Sequence, residues 1–380
     1  MKYQSIKYFS GLNALRFFAA FLVVLHHAEQ VKLKYGVFNL KEFSLFNNGG
    51  LAVTFFFVLS GFLITFLLLK EHAKKNTISI RKFYIRRILR IWPLYFLLVL
   101  IGTIILPLIL SFIDTQFELN YSFYDVFLYY VFFTPFMVNI LFGGGLLEPL
   151  WSIGVEELFY IYWAPLFKKL KKHFVVIITL VILIKLSLLL FFEYSDYRNS
   201  TSHQVIKILK FEAMAIGGLF SYLIYHSKKE IGKMGIFSRP AQIVILIFIL
   251  LRIGFVNKLI ETAPIFKQIF KTFILSDLLM MLCFVWIIIN VSLNPKKIIN
   301  LDLKPLNFLG EISYGIYMYH LLVIFTVIVG LKSILNSFSP ITSTLLFYSI
   351  ITVGIVITSS LSKRFFEDPF LRFKERFNNT

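Results

Sequence analysis

The stretch LAVTFFFVLSGFLITFLLL, residues 51–69, carries no charge. It runs straight into KEHAKKNTISIRKFYIRRILR, residues 70–90, and then into IWPLYFLLVLIGTIILPLILSFI, residues 91–113. A helix of about 20 apolar residues crosses a hydrocarbon core about 30 Å thick, and both flanking runs reach that length. The segment between them holds Lys70, Lys74, Lys75, Arg81, Lys82, Arg86, Arg87 and Arg90. Short loops this rich in Lys and Arg stay on the cytosolic side, so the stretch reads as two membrane spans joined by a cytosolic turn.

Similar apolar runs recur at 11–31, 121–142, 150–167, 173–192, 206–225, 241–257, 270–291, 310–331 and 341–361, making eleven in all. Composition agrees: 58% of the 380 residues are hydrophobic, 18% aromatic and only 16% charged, against about a quarter charged in soluble domains. If all eleven runs crossed, Lys168, Lys169, Lys171 and Lys172 would lie outside, and the Gly143–Pro149 stretch inside. That reverses the charge rule. The run at 121–142 is interrupted by Asp125, Pro135 and Asn139 and flanked by Asp114, Glu118 and Glu148. It is therefore expected to be re-entrant or interfacial, as polar-interrupted membrane segments are where they line a cavity. The expected fold is an all-α polytopic bundle of about ten transmembrane helices with both termini cytosolic. One integral-membrane domain covers 1–370, and 371–380 is a short basic tail.

The formal charge of +19 does not indicate nucleic acid, because the basic residues collect in the short gaps between apolar runs, where orientation accounts for most of them. The single cysteine, Cys283, sits in an apolar run, which excludes a disulfide framework, and no Cys/His spacing points to a metal. Lys2 and Lys7 precede the first apolar run, as in a signal peptide. The run ends in Leu25-His26-His27-Ala28-Glu29 without a small-residue cleavage pattern, so a retained first span is expected.

Charges at membrane depth are costly, so those that persist call for a role and a partner. Arg16 and His27, eleven residues apart on a helix, differ by about 20° in rotation and about 16 Å in height, and so share one face at two depths. Snorkelling to headgroups accounts equally for Arg16, and an interfacial position for His27. Arg86, Arg87 and Arg90 enter the third span at the cytosolic interface, where guanidinium groups grip phosphates through paired hydrogen bonds; anchoring accounts for any one of them alone. Glu156 and Glu157 lie about two turns into the fifth run and point about 100° apart, so one of them, Glu157 by preference, faces a cavity centre. His320 lies near mid-membrane with Ser313 and Tyr317 on its side of the helix; a packed, hydrogen-bonded histidine is the competing reading. Arg16, His27, Glu157, Lys185, Lys207, Lys210, Glu212 and His320 would also serve a secondary transporter or flippase, although no inverted repeat accompanies them.

In order along the chain, Arg16 with His27, Phe57–Phe62, Arg86-Arg87-x-x-Arg90, Trp151–Tyr160, Leu309–His320 and Phe366-Glu367-Asp368-Pro369 resemble the acyltransferase 3 family of membrane-bound acyltransferases from Gly11 to Pro369. The family patterns are R-x10-H, F-x-x-S-G-F, RRxxR, WSLxxEexFY, LGxxSYxxYxxH and E-x-P; Gly154 departs from the fourth at a variable position. The resemblance implies an acyl group, acetyl above all, carried by coenzyme A as co-substrate, with no bound cofactor and no metal. The acceptor it implies is a hydroxyl of a cell-surface or lipid-linked glycan, reached across the inner (plasma) membrane. Carried onto this chain, Arg86, Arg87, Arg90 and Ser60 bind the donor. His27, Glu157 and Arg16 are catalytic, and Trp151, Glu156, Tyr160, Tyr314 and His320 serve the acceptor or support the site. Some relatives append an SGNH-type hydrolase domain after the last span. None follows here up to Thr380, so acceptor selection is expected to rest on the membrane domain or a partner.

The topology has a direct check. In a Cys283→Ala background, a cysteine at Gly144 should react with a membrane-impermeant maleimide added from outside, and one at Lys169 should not; the reverse pattern would restore the eleventh crossing.

Overall fold

A computed structural model describes residues 3–6, 8–112, 121–262 and 273–376. Lys2, Lys7, Asp114, Glu118, the first residues of the 270–291 run and the last four residues of the tail lie outside them. The helices, in order, are α1 (Leu12–Lys34), α2 (Gly49–Lys75), α3 (Ile80–Leu100), α4 (Leu106–Phe112), α5 (Phe123–Val131), α6 (Pro135–Phe142), α7 (Leu150–Leu170), α8 (Phe174–Tyr194), α9 (Thr201–Ile208), α10 (Phe211–His226), α11 (Arg239–Thr262), α12 (Phe273–Leu293), α13 (Lys304–Glu311), α14 (Ser313–Ser337), α15 (Pro340–Ser362) and α16 (Asp368–Arg376). No strand occurs among the described residues. That is the expected all-helical membrane bundle, since a helix satisfies its own backbone in hydrocarbon.

Nine helical stretches among the described residues are long and apolar enough to cross a membrane. One of them, the 45-residue Leu150–Tyr194, is two helices, α7 and α8, joined by a 3-10 turn at Lys171–His173. The Trp163 and Phe174 rings lie 5.5 Å apart, and the Phe167 and Phe174 rings 4.5 Å. Residues eleven apart on a straight helix are separated by about 16 Å, so the chain folds back at the turn. Counted separately, the two bring the spanning helices to ten.

The 121–142 run does not cross. Its two helices, α5 and α6, have 9 and 8 residues, about 13 and 12 Å of helix. Asp125 caps α5, accepting from the Ser122 backbone N–H and hydroxyl, both at 2.8 Å. The break between α5 and α6 puts Phe133 at a φ of +55°. Its ring stacks on Tyr95 at 4.7 Å and lies 4.9 Å from Trp92, while the Tyr95 hydroxyl donates to the Tyr130 carbonyl at 3.0 Å. Gly154 is explained here: a Cβ on it would stand 2.5 Å from the Phe133 carbonyl oxygen and 2.6 Å from Pro135. The re-entrant pair thus wedges between α3 and α7.

With that segment not crossing, the basic segments gather at one end of the bundle. Lys70 donates to the Ile6 carbonyl at 2.7 Å, Tyr3 donates to the Lys229 carbonyl at 3.2 Å, and Tyr84 donates to the Ile161 carbonyl at 2.7 Å. Ser10 donates to Asp302 at 2.9 Å and accepts from Lys297 at 3.4 Å. Hydrogen bonds from Asn307, first, and Ser10 hold the Asp302 carboxyl below the usual carboxylate range. At the opposite end, Glu29 and Lys32 form a fully buried pair at 2.9 Å, and Tyr348 donates to Glu29 at 2.5 Å.

The centre of the bundle is a crossing of α2 and α10 at backbone contact. A Cβ on Gly61 would lie 1.9 Å from the Met214 carbonyl oxygen, and one on Gly217 would lie 2.0 Å from the Val58 carbonyl oxygen. Lipid removes most of the hydrophobic drive between helices, so close packing through small residues holds them together. Gly61→Val should force the helices apart at a cost of about 1–3 kcal/mol or more. A lowered melting temperature in detergent, or failure to accumulate in membranes, is the expected readout; wild-type melting would contradict so close a crossing.

Candidate active site

Five helices with long sequence separations converge on a cavity of about 360 Å³ in the half of the bundle nearer its basic end. α1 contributes Arg16, α2 contributes Ser60, and α3 contributes Arg87 and Arg90. From α7 come Ser152, Glu156 and Tyr160; from α14, Tyr314 and Tyr317; and Lys363 and Glu367 follow α15. Four cations and three carboxylates line the cavity, Glu311 among the latter, and Lys363 is already paired with Asp368.

The phase of each helix decides which motif residue reaches the cavity. Arg87 and Arg90, three residues apart, share the cavity face of α3, while Arg86 turns away to an ion pair with Glu71 at 3.0 Å. The Arg87 guanidinium stands 5.3 Å from the Tyr160 ring centroid. The Tyr160 hydroxyl donates to Glu156 at 3.0 Å, which leaves the Ser60 hydroxyl to donate to Tyr160 in turn. Glu156 is therefore the carboxylate on the cavity wall. Glu157, the preferred one of the two from sequence, accepts from the Trp92 indole at 3.0 Å, and its other oxygen has no hydrogen-bond partner among the described residues. Trp92 is held by Phe133, so the re-entrant segment decides which glutamate faces inward. Trp151 packs edge-on against Phe57 at 5.9 Å and does not line the cavity.

His27 lies deeper. Its Nδ1 is 3.0 Å from Nε2 of His320 and 3.1 Å from the Val23 carbonyl; His320 Nδ1 is 2.5 Å from the Tyr317 carbonyl. His320 is fully buried and His27 nearly so. Neither lines the cavity. Tyr317 stands between: its ring is 5.8 Å from His320 and 5.9 Å from Phe56, and its hydroxyl bonds to Ser152 at 2.7 Å and donates to the Pro149 carbonyl at 3.0 Å. Tyr314 donates to the Ile91 carbonyl at 3.0 Å, tying α14 to α3 beside Arg90. Arg16 thus lies on the cavity wall and His27 outside it, with Tyr317 bordering both the cavity and His320.

Sequence reasoning had not assigned Lys363 and Glu367 to this wall. The Phe366–Pro369 element was visible, but nothing local says where the chain after α15 returns. Glu367 accepts from Ser362 at 3.1 Å, and Ser362 accepts from Tyr319 at 3.1 Å. The other charges at depth form a separate group. Lys210 pairs with Asp277 at 2.8 Å and donates to Thr54 at 2.9 Å, Lys185 donates to the Ile206 carbonyl, and Glu212 lies 4.0 Å from Lys185. Among the described residues no group of three or more His, Cys, Asp or Glu is placed to hold a metal ion.

Comparison with known proteins finds relatives across nearly the whole chain. A family model described as an acyltransferase domain matches residues 9–363. The chain is 27% identical over 384 residues to a Staphylococcus aureus (strain COL) protein named "Putative O-acetyltransferase", covering 97% of this chain and 58% of that one. It is 26% identical over 323 residues to a "Putative acetyltransferase" of Acidianus two-tailed virus, covering 81% of each. It is also 30% identical over 169 residues to the "Putative peptidoglycan O-acetyltransferase YrhL" of Bacillus subtilis (strain 168), covering 44% of this chain and 24% of that one. The chain thus spans just over half the length of the staphylococcal relative. No solved structure matches it. With a family model across nearly the whole chain and the family's motifs gathered around one cavity, the protein belongs to the acyltransferase 3 family of integral-membrane acyltransferases.

Proposed function

We propose that this chain takes an acetyl group from cytosolic acetyl coenzyme A and transfers it to a hydroxyl of a cell-envelope glycan on the far face of the plasma membrane. The observation that carries this reading is the alignment of an arginine-lined cavity at the basic end with a histidine pair farther along the same helices. The basic end is the cytosolic one by the charge rule, and an even number of crossings assigns both termini to that side. A soluble thioester therefore arrives where Arg87 and Arg90 stand, and the name of the B. subtilis relative supports a glycan acceptor.

Arg87 and Arg90 hold the donor's phosphates, and its narrow pantetheine arm runs past Arg16 toward Tyr317. The rise of about 16 Å between Arg16 and His27 suits such an arm. Glu156 keeps the cavity arginines from facing one another unscreened and holds Tyr160 and Ser60 in place. To reach His27, the thioester must pass Phe56 and Tyr317, so small rotations there admit a two-carbon acyl group more readily than a long one. His27 then removes the acceptor proton, or is itself transiently acylated; imidazole does either near neutral pH. Trp151 offers an aromatic face for a sugar ring. In the direct route the acceptor oxygen attacks the thioester carbon, the C–S bond breaks, and the proton held by His27 passes to the departing sulfur.

Two variants test the division of labour in membrane vesicles supplied with radiolabelled acetyl coenzyme A. The double variant Arg87→Gln with Arg90→Gln should raise the donor KM at least tenfold, since a hydrogen bond to a charged group contributes about 1.5–3 kcal/mol. His27→Ala should lower kcat by about 10²–10⁴ at unchanged protein level. An unaltered donor KM would remove the phosphate role, and full activity of His27→Ala would remove the base.

A further inference from the structure

We infer that His320 is a positioning residue for the transfer reaction: its Nε2 accepts the Nδ1 hydrogen of His27 and thereby presents His27 Nε2 as the basic nitrogen. This rests on the reading of His27 as the group that receives the acceptor proton.

The hydrogen bonds assign the protons. His320 Nδ1 lies 2.5 Å from the Tyr317 carbonyl oxygen, which can only accept, so Nδ1 carries the hydrogen and a neutral His320 has its lone pair at Nε2. That lone pair lies 3.0 Å from His27 Nδ1, which is also 3.1 Å from the Val23 carbonyl oxygen. Both neighbours of His27 Nδ1 are therefore acceptors, and the bonds are made only if His27 Nδ1 carries its hydrogen. In neutral His27 the remaining lone pair is then at Nε2. Reversing both rings would set lone pairs against the Tyr317 and Val23 carbonyls, and reversing His27 alone would set its Nδ1 lone pair against Val23 and His320; either way two hydrogen bonds are lost in a dry interior.

Val23 alone would be a weak anchor. Its carbonyl lies four residues before His27 on α1 and already accepts the His27 backbone N–H within the helix. His320 supplies the second acceptor from α14, and so ties the imidazole plane to a different helix. His26 does not compete for this role, since its Nδ1 bonds to the Phe46 carbonyl at 3.0 Å and its Nε2 to Gln30 at 2.9 Å. When the acceptor hydroxyl gives its proton to His27 Nε2, the imidazolium carries hydrogens on both nitrogens. The one on Nδ1 then forms a charge-assisted bond to His320, whose own hydrogen stays on its Nδ1 and is donated to the Tyr317 carbonyl. The pair works as a carboxylate–histidine pair does, with a neutral ring in place of the carboxylate; a full negative charge is thereby kept out of the membrane interior.

The test uses two amides that replace different nitrogens of His320. In His320→Gln the terminal amide reaches the position of Nε2 and restores an acceptor for His27. In His320→Asn the amide reaches only the position of Nδ1, so it keeps the bond to Tyr317 and leaves His27 without its partner. With full-length protein in vesicles at matched amounts, His320→Asn should lower kcat about 10–100-fold with donor KM within twofold of wild type. His320→Gln should recover most of that loss, and both should melt alike in detergent. Equal losses in the two variants, with equal falls in melting temperature, would mark His320 as a packing residue and overturn the inference. Wild-type kcat in His320→Asn would overturn it too. His27→Ala is the separating control: if it is inactive while His320→Asn is fully active, the positioning role fails and the base survives; if it is active, the underlying reading fails.

Discussion

A guanidinium in hydrocarbon needs a counter-charge, a ring face or water, and the site of this protein is arranged around that requirement. Arg16, Arg87 and Arg90 come from two different helices, yet they meet in one cavity that also holds Glu156, Glu367 and the Tyr160 ring. Arg87 has the Phe83 ring of its own helix at 5.9 Å, but the Tyr160 ring and the carboxylates come from other elements. The bundle that brings α1, α3, α7, α14 and the chain after α15 together is therefore also what makes these charges tolerable. The cavity that results is lined by four cations and three carboxylates.

The same rule organises the rest of the molecule. Glu29 with Lys32 and Tyr348, and Lys210 with Asp277 and Thr54, are closed groups whose members satisfy one another. They stand apart from the arginine cavity, and Lys210 is thereby one ionisable residue that a solute path would otherwise have claimed. The close approach of α2 and α10 at Gly61 and Gly217 fixes the height of Ser60 on the cavity wall, which joins a packing motif to the polar network through a single helix.

The re-entrant pair α5–α6 has consequences beyond topology. By not crossing, it lets α7 run in the same direction as α2, which brings Lys168–Lys172 to the basic end and aligns Tyr160 with Ser60. By seating Phe133 against Trp92, it draws Glu157 out of the cavity line and leaves Glu156 facing in. Charge parity in the loops was enough to find the first effect from sequence. The second depends on an aromatic contact between residues forty-one positions apart, which no helical periodicity encodes.

Membrane residence, the number of spanning helices and the gathering of basic segments at one end follow from the sequence by itself, because hydrocarbon thickness and loop charge act on local composition. The family followed as well, because its motifs are short and keep their order. Helical geometry put Arg16 and His27 on one face; of the two, Arg16 lines the cavity and His27 does not. The rest was decided by tertiary structure: Arg86 leaves for Glu71 while Arg87 and Arg90 stay, Glu156 faces in, Glu367 returns to the cavity, and His320 meets His27 across 293 positions of chain. These are choices of helix rotation and of partner. A rotation of one residue, about 100°, moves a side chain from cavity to lipid, and only the packing of neighbouring helices selects it.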